Sequence, residues 1–107
     1  MLPNDPARLK AAFQQGLAAQ KAGQFDAALA QFRQVLAVRP DLAEAQFQIG
    51  RIHAAQGDMA KAETALRKAL KLRPKEPAIW AALAGILTGG KLKKLDAEAA
   101  RAGVPLS

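Results

Sequence analysis

The sequence predicts an all-α fold of six helices, paired as hairpins and stacked side by side. Three observations predict it. Residues 43–74 align with the stretch 34 positions earlier, setting Gly16 on Gly50, Gly23 on Gly57, Ala28 on Ala62, Phe32 on Leu66 and Pro40 on Pro74. Apolar residues recur at three- and four-residue steps, the period of one helix face. Glycines and prolines separate those runs at matching offsets, and no stretch alternates as a strand does. A fixed period of this length marks an array of supersecondary units, each too small to bury its apolar face alone. Between residues 9–42 and 43–76, ten of the 34 aligned pairs are identical: Ala11, Phe13, Gln14, Gly16, Gly23, Ala28, Arg33, Leu36, Arg39 and Pro40 in the first copy.

Each element has a local reason. Asp5-Pro6 offers an N-cap acceptor followed by proline at the first helical position, and Leu9, Ala12, Phe13, Gly16 and Leu17 continue on one face. Gly23 ends this helix, because glycine adopts the left-handed cap conformation without steric cost. The second helix carries Phe25, Ala28, Leu29, Phe32, Val35 and Leu36 and stops before Pro40. Loops this short force the pair antiparallel. Asp41 and Glu44 have capping-box spacing ahead of Ala45, Ile49, Ile52 and His53. Gly57 breaks the chain and Asp58 caps the fourth helix, with Ala62, Leu66, Ala69 and Leu70 inward and Lys61, Thr64, Lys68 and Lys71 outward. Pro77 opens a fifth helix with Ile79, Trp80, Leu83, Ile86 and Leu87, which Gly89-Gly90 is expected to break. The last helix aligns Leu92, Leu95, Ala99 and Ala102 before Gly103 and Pro105 end it.

Composition narrows the function classes. The chain has 107 residues, half of them apolar and 23% charged, which suits one folded domain over residues 1–107. No apolar run approaches the roughly 20 residues that span a bilayer. The N-terminal MLPNDPARLK lacks the pattern of a signal peptide, so the cytoplasm is the expected location. The formal charge of +7 is uneven. Residues 1–60 hold six basic and five acidic side chains, net +1, and residues 61–107 hold ten and four, net +6.

These residues resemble the tetratricopeptide repeat, whose pattern runs W-x2-L-G-x2-Y, then Ala, Phe and Pro within 34 residues. Trp80, Leu83 and Leu87 supply it in the third copy, with Ala84 replacing glycine. The second copy supplies Ile49, Gly50, His53, Ala62, Leu66, Ala69 and Pro74, and the first Gly16, Ala28, Phe32 and Pro40. Repeats at about 9–42, 43–76 and 77–103 follow. Ala12 and Gln46 replace the family's tryptophan and Gln15 its leucine, so the early repeats should pack less well. The resemblance implies a right-handed solenoid of about 2.5–3 repeats, with the lysine-rich last helix as a short solvating cap.

Catalytic chemistry finds little material. The chain has one histidine, one serine at its C-terminus, two threonines, no cysteine and no tyrosine. No nucleophile–base–orienter set can be assembled, and no second histidine joins His53 in a metal site. His53 takes the repeat's tyrosine position and reads as a half-buried packing residue. The expectation is a non-enzymatic segment without catalytic residues, metal or cofactor.

What the resemblance implies instead is a concave face, lined by the first helix of each hairpin, that binds a partner's peptide or helix. The family's groove positions fall on Lys10, Phe13, Leu17, Gln20 and Lys21 in the first hairpin, on Glu44, Phe47, Arg51, Ala54 and Ala55 in the second, and on Ala78, Ala81 and Gly85 in the third. Phe13 and Phe47 share one repeat position and are expected to form an apolar ladder beside Arg51, or else to pack on each other. The lysine/asparagine/arginine clamp by which some members hold acidic chaperone tails is missing, since those positions carry Phe13, Leu17, Gln48, Ala78 and Ala82. An apolar or amphipathic protein segment is therefore the expected partner, with Arg51, Lys10 and Lys21 steering a mildly acidic one. Such repeats also stand beside catalytic domains in bacterial sulfotransferases and glycosyltransferases, which makes an accessory domain of a larger enzyme the alternative. Fewer than three full repeats leaves an end face, so self-association is a third expectation. The basic run from Lys61 to Lys75 invites a nucleic-acid reading, but Lys61, Lys68 and Lys71 share an outer face with few aromatics nearby. A solvated surface is expected there, and the short KLKKL segment offers a membrane little apolar area.

Overall fold

A computed structural model describes residues 6–106 and contains six α-helices in this order: α1 (Pro6–Lys21), α2 (Phe25–Val38), α3 (Ala43–Ala55), α4 (Met59–Leu72), α5 (Pro77–Ile86) and α6 (Gly89–Arg101). No strand occurs among the described residues. The proposed Asp5 cap lies outside them. The molecule measures 47 × 26 × 18 Å with a radius of gyration of 14.5 Å, against about 13 Å for a compact domain of this length. That elongation is what a stack of hairpins produces.

The 34-residue period is present in the backbone itself. Gly23 and Gly57 have φ of +77° and +82°, and each closes its helix in a Schellman motif. In the first, the Gln24 N–H donates to the Ala19 carbonyl at 2.8 Å, and in the second the Asp58 N–H donates to the His53 carbonyl at 2.9 Å. Arg39 and Arg73, each held out of the α region by the proline that follows, have φ/ψ of −124°/77° and −135°/76°. The Asp58 carboxylate caps α4 as expected, accepting from the Lys61 N–H at 3.1 Å.

Small residues set the spacing inside each hairpin. A Cβ on Gly16 would stand 2.8 Å from Cε1 of Phe32, and one on Gly50 would stand 2.7 Å from Cγ of Leu66. Phe32 and Leu66 are both sealed from solvent. The interior divides into two apolar clusters. One gathers Ala28, Leu29, Phe32, Val35, Ala45, Ile49, Ile52 and Ala65, and the other Leu66, Ala69, Leu70, Ile79, Trp80, Leu83, Leu87, Leu95 and Ala99. Each hairpin thus packs on its neighbour alone, as in a solenoid. Trp80 fixes the junction to α5 by donating its indole N–H to the Pro74 carbonyl at 2.7 Å. Gln46, one period earlier, makes no such bond to Pro40.

Three local expectations need correction. Asp41 does not cap α3, whose N-cap is Leu42 with no side-chain bond; Asp41 instead accepts from the Arg39 guanidinium at 3.2 Å. Gly89-Gly90 does not lie between helices. The chain extends at Leu87 and Thr88, and the two glycines begin α6, with Gly89 at φ +60°. The third pair is also not a hairpin like the others, because α6 meets α5 over a much shorter length than α2 meets α1. The helix is tied to α4 by charge. Lys91 reaches Glu63 at 3.3 Å, and Arg67 bonds Glu98 at 3.2 Å while lying 3.5 Å from Glu63. With Leu95 and Ala99 buried, α6 closes the apolar end of the stack. It has 13 residues and α5 has 10.

Candidate functional site

The first helices of successive hairpins present residues one period apart on the same side. Two depressions result, one between α1 and α3 and one between α3 and α5, and Glu44 borders both. Lys10, Phe13, Leu17 and Glu44 line the first together with Leu9, Gln14, Arg39 and Leu42. Glu44, Phe47 and Ala78 line the second with Ala43, Arg73, Glu76 and Ile79.

The phenylalanines do different work. Phe13 is half-buried and meets Phe32 edge-on, with ring centroids 5.4 Å apart and planes at 68°, a favourable aromatic geometry. Phe47 is half-buried too but packs on the other apolar cluster. Its outer face carries the Arg51 guanidinium, 5.7 Å from the ring centroid, within cation–π range. Leu17 stays 38% exposed on the groove side of α1.

Other groove positions stand apart from the depressions. Lys21, Ala55, Ala81 and Gly85 are exposed, and Gln20 and Ala54 are half-buried. The Gln20 side-chain oxygen is buried without a hydrogen-bond partner, as is that of Gln48, which is 6% exposed. His53 is more deeply buried than expected, at 8% exposure. It belongs to the opposite side of α3.

Sequence reasoning missed Arg39 and Arg73. They sit one period apart, each precedes the proline that ends its hairpin, and each borders a depression. The repeated Arg-Pro pair was the available signal. Charge then differs between the depressions. Lys10 and Arg39 face Glu44 in one, and Arg73 faces Glu44 and Glu76 in the other. Among the described residues no group of three or more His, Cys, Asp or Glu side chains could hold a metal ion. No helix there is long and apolar enough to cross a membrane.

Comparison with known proteins agrees with the helical-repeat fold. A mutant O-GlcNAc transferase from Thermobaculum terrenum is similar over 95% of this chain and 20% of its own, at 29% identity and a TM-score of 0.79. The crystal structure of MamA is similar over 88% of this chain and 53% of its own, at 20% identity and a TM-score of 0.71, a likeness of fold alone. The chain spans about half of MamA and a fifth of the transferase. No curated protein sequence matches it. A family model described as a tetratricopeptide repeat matches residues 13–77, more than half of the chain. The chain therefore belongs to the tetratricopeptide repeat family of protein-interaction modules.

Proposed function

We propose that the concave face binds an extended or helical segment of a partner protein, with an apolar side chain seated on each depression. The observation that carries this reading is Phe47, a half-buried ring with the Arg51 guanidinium over it, set beside a depression. Burying such an aromatic with its guanidinium is how a few residues come to dominate an interface. Lys10, Phe13 and Leu17 extend the surface along α1, and Arg51, Ala54 and Ala55 along α3. Gln20, Lys21, Ala78, Ala81 and Gly85 complete it at the two ends, with the repeats taken as 9–42, 43–76 and 77–103. Opposite charges on either side of Glu44 favour an amphipathic segment over a purely acidic tail.

The test compares partners captured by the native chain with those captured by Phe47→Glu and by Leu17→Glu. Leu17 is exposed enough for its variant to fold, which circular dichroism checks. Loss of the same partner from both variants is expected. Capture of identical proteins at identical yield by both would refute a role for the groove.

A second reading is favoured by one finding: the similarity to the transferase covers nearly all of this chain and only a fifth of that one. On that reading the segment is an accessory repeat domain that presents protein substrates to a catalytic domain. An antibody against the segment should then reveal, in a cell extract, a polypeptide far larger than 11.3 kDa. A band of the segment's own size alone would refute it.

A further inference from the structure

On the side of α3 away from the groove, α2, α3 and α4 border a further open cleft of about 310 Å³. At about 100° per residue, Gln46, Ile49 and His53 project roughly opposite Glu44, Phe47 and Arg51. Ile49 and His53 form the buried floor, and Arg33 from α2 with Lys61 and Lys68 from α4 form the exposed rim. Lys61 and Lys68 share a helix face because they are seven residues apart.

The charge of this cleft is one-sided. The groove depressions include Glu44 and Glu76, and the cleft beside Trp80 includes Glu98, but no carboxylate lines this one. Among the described residues Arg33 and Lys68 enter no ion pair, and Lys61 is only 3.8 Å from Asp58 at the margin. His53 is 92% buried by its 8% exposure, yet its ring bonds to no protein group. One ring nitrogen always carries a hydrogen, and because the ring nitrogens are not sealed from solvent, that donor is open to a ligand in the cleft. The Gln46 amide adds further donors and is likewise unpaired. Cations and donors thus converge over an apolar floor with no carboxylate of the protein's own to neutralise them.

We propose that this cleft binds a phosphate monoester, with the phosphoryl oxygens held by Arg33, Lys68 and the His53 ring and the organic part resting on Ile49. A dianionic head with several acceptor oxygens matches charge-assisted donors on three sides, and guanidinium suits phosphate in particular. The site is separate from the concave groove and does not depend on it. The ester is either a free small molecule or a phosphorylated side chain of a protein, and the chemistry recognised is the same.

The test is a chemical-shift titration at low salt with phenyl phosphate in one arm and a phosphoserine peptide in the other. Saturable shifts at the His53 ring and at Arg33 are expected, and the tighter arm identifies the source. Arg33→Ala with Lys68→Ala removes two exposed side chains and should leave the helical spectrum intact while weakening binding by about tenfold or more. His53→Phe, which keeps the packing, should weaken it by a smaller factor. Lys93→Ala with Lys94→Ala removes two exposed cations from α6 and should change binding less than about twofold. Equal losses in the two double variants would overturn the site in favour of diffuse attraction to a basic chain. So would the absence of saturable shifts in both arms, or equal binding of duplex DNA of any sequence.

Discussion

Replacing Gly50 by alanine isolates the close approach on which each hairpin depends. In an open helical position this change stabilises by roughly 0.8–1 kcal/mol through helix propensity. At Gly50 the new methyl would stand 2.7 Å from Leu66 Cγ, 2.8 Å from its Cδ2 and 3.3 Å from the Ala62 carbonyl oxygen. Leu66 is 1% exposed and its Cγ is not a free end, so α3 and α4 must separate. Overpacking of this kind costs about 1–3 kcal/mol, which exceeds the propensity gain. A net loss of up to about 2 kcal/mol follows, and a Tm lower by about 4–8 °C per kcal/mol. Gly85→Ala is the matched control, since nothing lies within 4 Å of a Cβ there; it should raise the Tm. Urea unfolding of a double-mutant cycle completes the argument. In a Leu66→Ala background the methyl has room, so Gly50→Ala should become stabilising, with a coupling of about 1–3 kcal/mol. If Gly50→Ala stabilised the native chain as Gly85→Ala does, or if the two effects added, the close-packing account would be refuted.

Other outcomes are expected. Trp80→Phe keeps an aromatic ring but removes the donor to the carbonyl of the exposed Pro74, at about 0.5–1.5 kcal/mol for the bond in urea unfolding. Asp58→Ala removes the α4 cap and should cost about 1 kcal/mol, whereas Asp41→Ala, at a site that caps nothing, should cost far less by the same measurement. Arg67→Ala severs the contacts to Glu63 and Glu98 on partly exposed side chains, so its cost should be about 1 kcal/mol or less at low ionic strength. That cost should shrink when melts are repeated in concentrated salt, because screening shortens the reach of such pairs.

Most of the fold was legible because its signals are local. Gly23 and Gly57 mark helix ends through their own backbone conformation, and Pro40 and Pro74 fix the residue before them. Gly16 and Gly50, aligned by the period, stand where a Cβ would strike the facing helix. What escaped depends on competition or distance. Asp41 had the spacing of a cap, but Arg39 two residues back offered it a charged donor. Gly89-Gly90 had the composition of a break, yet the turn is made by Leu87 and Thr88. The position of α6 rests on Arg67–Glu98 and Lys91–Glu63, partners 31 and 28 residues apart, which no periodicity encodes. Of the residues that line the two depressions, the repeat positions had named Phe13, Glu44 and Phe47 among others but not Arg39 and Arg73, which enter from the turns. The basic cleft draws its residues from three helices, so Arg33 did not stand out in the linear pattern and His53 read only as a packing residue.

The division of the interior between Ala65 and Leu66 gives the protein a local optical reporter. Its single tryptophan, Trp80, belongs wholly to the second cluster, so indole fluorescence senses the C-terminal half, while far-ultraviolet dichroism averages over all six helices. Coincident thermal transitions by the two probes would mean that α4 couples the halves into one cooperative unit. An earlier dichroism loss, with the indole signal still native, would mean that α1 and α2 peel away first, at the junction that lacks a tryptophan clasp.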